Sequence, residues 1–197
     1  PGAQGPAARP RRMIRVFFGL PLPEASLVAL AAAQTRAKSL TTQLEPRWTR
    51  PEQMHVTLKF VGGQPEAVLP RLTEMLVTRA RAATPFEATL SRVSTFGGER
   101  ARVLVVDVET ASPELGDLAR GLEDDAASLG VARETRDFHA HVTLARFKRP
   151  GDPRTVIDAA QLAPVALTFR EICLYRSELT PAGSRYAIVA TWALGQA

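Results

Sequence analysis

Two hydrophobic rhythms alternate along this chain. Residues 14–20, Ile-Arg-Val-Phe-Phe-Gly-Leu, read as a strand that Pro21 and Pro23 end. Residues 24–40 are rich in Ala and Leu with apolar spacing near the helical period of about 3.6, so they predict a helix. A loop follows, holding Pro46, Trp48 and Pro51. A second strand spans 54–61 and closes at Gly62-Gly63. Residues 65–83 predict a helix, interrupted or begun afresh near Pro70. Residues 86–96 return to alternation through Phe86, Ala88 and Leu90, then Val93, before a Gly97-Gly98 turn. The pattern then restarts. A strand over 102–108 precedes a helix over 113–129 with Gly130 as its C-cap. A strand over 138–147, a short helix over 152–162, and strands over 165–175 and 185–192 complete the chain. The last two are joined around Pro181-Ala182-Gly183. Residues 1–12 show no periodicity and are expected to form a flexible tail.

The halves keep step. From Arg15 to His55 is 40 residues, and from Arg102 to His141 is 39. Each half runs strand, helix, loop, strand, helix, strand. The order predicts an internal duplication, with repeats over about 13–100 and 101–193 inside one bilobal domain spanning 13–197. Two similar lobes would be related by a pseudo-two-fold axis. The period is far too long for a solenoid.

A four-residue word sits at matched places in the duplication: His55-Val56-Thr57-Leu58 and His141-Val142-Thr143-Leu144. On a strand, side chains at i and i+2 share a face. Each word therefore presents an imidazole with a hydroxyl, while its Val and Leu face a core. The pseudo-two-fold would set the words face to face over one cleft. With an unperturbed pKa near 6.5, one imidazole can accept a proton while another donates one. That equips the cleft for acid–base chemistry on a phosphate ester, with His55 and His141 as the catalytic pair and Thr57 and Thr143 binding phosphate oxygens. Arg146 is placed to clamp phosphate near the strand end. Phe60 fits equally a wall that stacks on a base and a core residue. Lys59 shares the face of His55 and Thr57 by alternation. His139 lies on the same face as His141, which could suggest a metal, but such a site wants several further ligands and none is expected here.

Composition narrows the class. The hydrophobic fraction of 45% belongs to a folded globular protein. No apolar run approaches the roughly 20 residues of a membrane span. Cys173 is the one cysteine, so an internal disulfide is excluded; it reads as a buried strand residue, and a cytoplasmic setting fits. The net charge of +5 is carried mainly by arginine, which suits phosphate but also follows from the Ala, Arg, Leu and Pro bias of the whole chain. Walker A loops, Gly-rich dinucleotide fingerprints and Gly-x-Ser-x-Gly elbows are absent.

The duplicated word, together with Arg15-Val16-Phe17-Phe18, Arg47-Trp48, Pro51-Glu52, Lys59-Phe60-Val61-Gly62, Phe138-His139-Ala140, Leu174-Tyr175-Arg176-Ser177-Glu178-Leu179 and Gly183-Ser184-Arg185-Tyr186, resembles the two-histidine phosphoesterases. Within them it is similar to the bacterial and archaeal RNA 2′,3′-cyclic phosphodiesterases, also called 2′-5′ RNA ligases. The resemblance implies an α+β fold of two lobes, each an antiparallel sheet with outer helices, around a central cleft. It implies hydrolysis of an RNA terminal 2′,3′-cyclic phosphate to a 2′-phosphate without metal or nucleotide cofactor, with reversible 2′-5′ ligation as a second activity. His55 and His141 are then the acid–base pair, Thr57, Thr143 and Arg146 hold phosphate, and Phe60 meets the terminal base. Ala140 departs from the proline that is frequent at its position. A monomer suffices, since one chain supplies both halves of the site. The alternatives are a phosphodiesterase for a small cyclic nucleotide or ADP-ribose cyclic phosphate, and an RNA-end-binding module without turnover.

Overall fold

The computed structural model describes residues 12–40, 43–97, 100–180 and 183–196. The expected tail lies outside them except for Arg12, as do Gly98 and Pro181-Ala182 of two expected turns. The strands are β1 (Met13–Pro21), β2 (Pro46–Trp48), β3 (His55–Pro65), β4 (Phe86–Phe96), β5 (Val103–Glu109), β6 (His141–Phe147), β7 (Val165–Phe169), β8 (Glu171–Thr180) and β9 (Gly183–Ala193). The helices are α1 (Glu24–Lys38), α2 (Leu69–Ala82), α3 (Glu114–Ser128) and α4 (Arg154–Ala160).

Local chemistry explains the boundaries. Pro70 sits in the first turn of α2, where its missing N–H costs nothing, so the helix starts afresh there after one 3-10 turn over Glu66–Val68. Leu72, Leu76 and Ala80 form the buried stripe of α2. Gly130, at φ +81°, ends α3 in the left-handed conformation, with its N–H and that of Val131 donating to the last-turn carbonyls of Ala127 and Ala126. Four expectations change. The strand expected to close at Gly62-Gly63 runs through both glycines to Pro65, paired with β1, and the strand expected over 138–147 begins only at His141. The loop around Trp48 contains a short strand, β2, which pairs with β6. The single strand expected over 165–175 breaks at Arg170 into β7 and β8, which belong to opposite ends of the sheet.

The fold is α+β and two-lobed. The described strands form one antiparallel sheet in the order β7-β4-β5-β6-β3-β1-β8-β9, with β2 beside β6. The two lobes meet between β6 and β3 at a single residue pair, Val142 and Val56. So thin a junction leaves the inner ends of both strands facing a cleft. Neither lobe is a contiguous stretch of chain. Strands from the end of each half of the chain join the other lobe: β4 pairs with β5, and β8, carrying β9, pairs with β1. The helices follow suit, with α3 packing on β3 and α1 on α4 and β7. The core runs through both lobes by way of Phe18, Leu20, Leu30, Val56, Leu104, Val142 and Leu144. Among the described residues no helix is long and apolar enough to cross a membrane.

Candidate active site

The two words occupy equivalent strands at the lobe junction. Val56, Leu58, Val142 and Leu144 are buried, while His55, Thr57, His141 and Thr143 are half-buried on the opposite face. That is the period-two division the words demand. Past the threonines, alternation breaks in both strands at the same relative place. The β1–β3 register skips Leu58, pairing Phe18 with Lys59 and Gly19 with Thr57. The β5–β6 register skips Leu144, pairing Leu104 with Ala145 and Val105 with Thr143. A bulge of this kind re-aims every side chain beyond it. Phe60 and Arg146, each five positions after its histidine, thereby join the histidine face.

The bulges are anchored. The Leu144 carbonyl accepts from the Thr49 N–H at 2.8 Å and from the buried Gln34 amide of α1 at 2.9 Å. In β3 the bulge turns Lys59 inward. Its ammonium, with a side chain 1% exposed, meets the Glu123 carboxylate of α3 at 2.7 Å and the Ala132 carbonyl at 3.2 Å. Lys59 therefore does not share the face of His55 and Thr57 as strict alternation expects.

His55, Thr57, Phe60, His141, Thr143 and Arg146 line one cavity at the junction, joined by Thr49, Gln53, Met54 and Tyr186. All six residues singled out in the sequence are thus brought together. Tyr186 was present there only as part of the Gly-Ser-Arg-Tyr stretch, without a role, and Gln53 was legible only as a neighbour of His55. A larger open depression over β4, β7 and the start of α3 holds none of the six.

Both imidazoles are oriented alike. Nδ1 of His55 lies 2.8 Å from the Gln53 carbonyl, and Nδ1 of His141 lies 2.8 Å from the His139 carbonyl. A carbonyl only accepts, so each Nδ1 carries hydrogen and each Nε2 is left to exchange a proton with a bound molecule. The Gln53 side chain is itself held, donating to the Ser184 carbonyl at 3.0 Å.

Their surroundings differ. His55 lies within aromatic rings: Phe17 stacks on it at 4.7 Å, Tyr175 at 5.3 Å, and Tyr186 meets it edge-on at 5.0 Å. Gly19 lets β1 approach closely beneath, since a Cβ there would stand 2.7 Å from the Val56 carbonyl oxygen. Burial drives the His55 pKa down to about 4 against the pull of the Gln53 carbonyl, and the positive charges of His141 and Arg146 push it the same way as burial. His141 is also lowered, first by burial, with the charges of His139 and Arg146 pushing the same way; the His139 carbonyl and, to a smaller degree, Asp107 oppose the shift. Its ring packs edge-on against Phe96 at 4.7 Å.

A stability prediction follows from His55. The unfolded chain takes up this proton near pH 6.5 and the folded chain only near pH 4, so protons favour unfolding between those values. The contribution is intact above about pH 6.5 and falls by about 3 kcal/mol as the pH approaches 4. Denaturant unfolding of the parent and of His55→Gln at pH 7 and pH 4.5 measures it; the parent should lose clearly more stability than the variant, and equal losses would refute the assignment.

His139 precedes β6, and its Nε2 lies 2.9 Å from Oδ1 of the buried Asp107. Among the described residues no three His, Cys, Asp or Glu side chains gather as a metal set. Cys173 is buried as expected, with its thiol 3.3 Å from the Thr191 hydroxyl.

Residues 27–181 match the family described as the 2′-5′ RNA ligase superfamily. A protein of Methanothermobacter thermautotrophicus named RNA 2′,3′-cyclic phosphodiesterase is 32% identical over 88% of this chain and 95% of its own length. This chain belongs to the 2′-5′ RNA ligase superfamily. A Thermus thermophilus relative with the same name is 29% identical over 92% of this chain and 90% of its own. Among solved superfamily-like folds, a Thermus thermophilus crystal structure superposes with TM-score 0.78 at 29% identity, covering 92% of this chain and 98% of the other. The crystal structure of E. coli LigT complexed with 3′-AMP superposes at TM-score 0.74 and 24% identity, covering 94% of this chain and all of that one, and so speaks for the fold alone. In this superfamily member the repeated His-Val-Thr-Leu word is the structural signature of the junction between lobes.

Proposed function

We propose that this protein is an RNA 2′,3′-cyclic phosphodiesterase that hydrolyses a terminal 2′,3′-cyclic phosphate to a 2′-phosphate. One observation carries the reading: two imidazoles with free Nε2 atoms, each beside its own threonine hydroxyl, share a cavity with Arg146 and Phe60. Water attacks the cyclic phosphorus in line with the departing 3′ oxygen. One histidine removes the water proton, and the other protonates that oxygen. Thr57, Thr143 and Arg146 hold the non-bridging oxygens, where negative charge gathers. Proton transfer by imidazole completes the cycle, so neither a metal nor a nucleotide cofactor takes part. Joining a 2′,3′-cyclic end to a 5′-hydroxyl uses the same groups in the same sense: the 5′-hydroxyl takes the place of water, loses its proton to one histidine, and the departing 3′ oxygen takes a proton from the other. A single chain holds both histidines, so a monomer is the working unit, and an intracellular RNA in the cytoplasm is its target.

Phe60 is 55% exposed and lines the cavity with the two histidines, where an aromatic face can meet a base. It stacks on the terminal base. Stacking of this kind contributes about 1–3 kcal/mol. Phe60→Ala is therefore expected to raise KM for a cyclic-phosphate-ended oligonucleotide about tenfold, with kcat changed less. Steady-state kinetics reads the split, and an unchanged KM would remove Phe60 from the base site.

The test of the whole reading is incubation of the protein with an oligonucleotide bearing a 2′,3′-cyclic end, with and without EDTA, followed by product separation. The expected product carries a 2′-phosphate and forms equally in both. Tight binding without product would make the protein an RNA-end-binding module. Turnover confined to a small cyclic nucleotide or to ADP-ribose cyclic phosphate would move the substrate away from RNA. Activity lost in EDTA would reintroduce a metal.

A further inference from the structure

The two words are equivalent in sequence and in strand, yet the positions opposite their histidines are not. Across β3, the residue paired with His55 is Pro21; across β6, the residue paired with His141 is Asp107. Directly opposed residues of antiparallel strands project to the same face, so one imidazole of the pair has a carboxylate beside it and the other has a proline. Asp107 is 3% exposed and fully engaged. Oδ1 accepts from Ser94 at 2.8 Å and meets His139 Nε2 at 2.9 Å, while Oδ2 accepts from Arg92 at 2.8 Å. The Ala140 carbonyl accepts from the Val108 N–H at 3.0 Å. Ring and main chain of the 139–140 segment are thus both tied to β5, and the carbonyl of His139 is the group that orients His141.

We propose that Asp107, acting through His139, is the positioning residue that makes His141 the proton donor of the pair and leaves His55 as the base. The inference rests on the phosphodiesterase reading above and adds a division of labour to it. The charged groups bearing on His141 are Arg146 on its own strand, His139 before it, His55 across the junction and Asp107 on β5. Only Asp107 among them favours a protonated His141. Burial opposes the ionised form of Asp107, but hydrogen bonds from Arg92, His139 and Ser94 hold its carboxyl below the ordinary range, so it is ionised wherever the enzyme works. Arg92 pairs with Oδ2 at 2.8 Å from an otherwise exposed side chain, and with that pair in place Asp107 still acts on His141 in the raising direction. No carboxylate acts on His55, which sits among rings and stays neutral. A neutral imidazole accepts the proton of water; the imidazole beside a carboxylate is the one able to carry a proton to the leaving oxygen.

The test is the pH dependence of kcat/KM for Asp107→Asn, which keeps the shape and removes the charge. The alkaline limb reports the acid and the acidic limb the base. The alkaline limb is expected to move down by about one pH unit, with the acidic limb in place. An alkaline limb that stays, or a shift confined to the acidic limb, overturns the proposal. A titration of the His141 ring by NMR in the same variant needs no substrate and should show the same downward shift; its absence counts equally against the idea. Should Asp107→Asn not fold, His139→Leu and His139→Gln decide. The leucine cannot hold Asp107 and should lower kcat about tenfold at constant KM, whereas the glutamine amide restores the bond and most of kcat. A glutamine variant no better than the leucine one, or a leucine variant equal to the parent, refutes the role. Full activity in His55→Ala and His141→Ala would instead sink the underlying phosphodiesterase reading, whatever the NMR titration shows.

Discussion

Replacement of either His55 or His141 by alanine is expected to cut kcat on a 2′,3′-cyclic-phosphate-ended oligonucleotide by about two to four orders of magnitude. The size follows from the role. Each imidazole has its Nδ1 proton committed to a backbone carbonyl and its Nε2 free in the shared cavity, so alanine removes the proton acceptor or donor outright. The folding cost runs in the other direction for His55. It is a half-buried base among aromatic rings, and its loss relieves the acid sensitivity described above. Rate and stability should therefore part company in His55→Ala, with activity collapsing while acid resistance improves. The double variant should be little worse than either single one, because the two act in a single concerted transfer. Rate losses below about tenfold at both positions would end the two-histidine mechanism.

The second large effect is on stability and lies outside the cavity. Glu123→Ala leaves the Lys59 ammonium buried with only the Ala132 carbonyl as partner. Removing one member of a buried pair typically costs 3–5 kcal/mol, and because Glu123 is itself 21% exposed the lower end, about 3 kcal/mol, is expected. Lys59→Met removes the charge together with its need for a partner, and should change stability by less than about 1 kcal/mol. Adding Lys59→Met to Glu123→Ala should then restore most of what the single change lost. Chemical denaturation of the three variants reads this directly. If Glu123→Ala unfolds at the parent's midpoint, water reaches Lys59 and the ion pair is not what keeps it inside. Since Lys59 lies beside the β3 bulge that aims Phe60, Glu123→Ala is also expected to raise KM.

Much of this protein is written in its sequence. The duplicated word, the matched spacing and the 3.6- and two-residue rhythms depend on near neighbours, and those are what a sequence displays. His55 with Thr57, and His141 with Thr143, share a face because a strand leaves no other choice. Helix α1 follows from its Ala- and Leu-rich composition, α3 from its apolar spacing, and the end of α3 from Gly130.

Tertiary structure decided the rest, because the deciding partners are distant in the chain. Strict alternation would bury Phe60 and Arg146 and expose Lys59; the two bulges reverse this, and they are held by Gln34 of α1 and Glu123 of α3. The break at Arg170 is invisible locally, since β7 and β8 are both good strand sequences and differ only in the lobe they pair into, β7 beside β4 and β8 between β1 and β9. The placing of β4 beside β5, and of β8 and β9 beside β1, is a pairing choice that no periodicity records. Identical words also receive different surroundings, rings around His55 and a carboxylate beside His141, because burial and charge are properties of what packs against a residue and not of the residue itself.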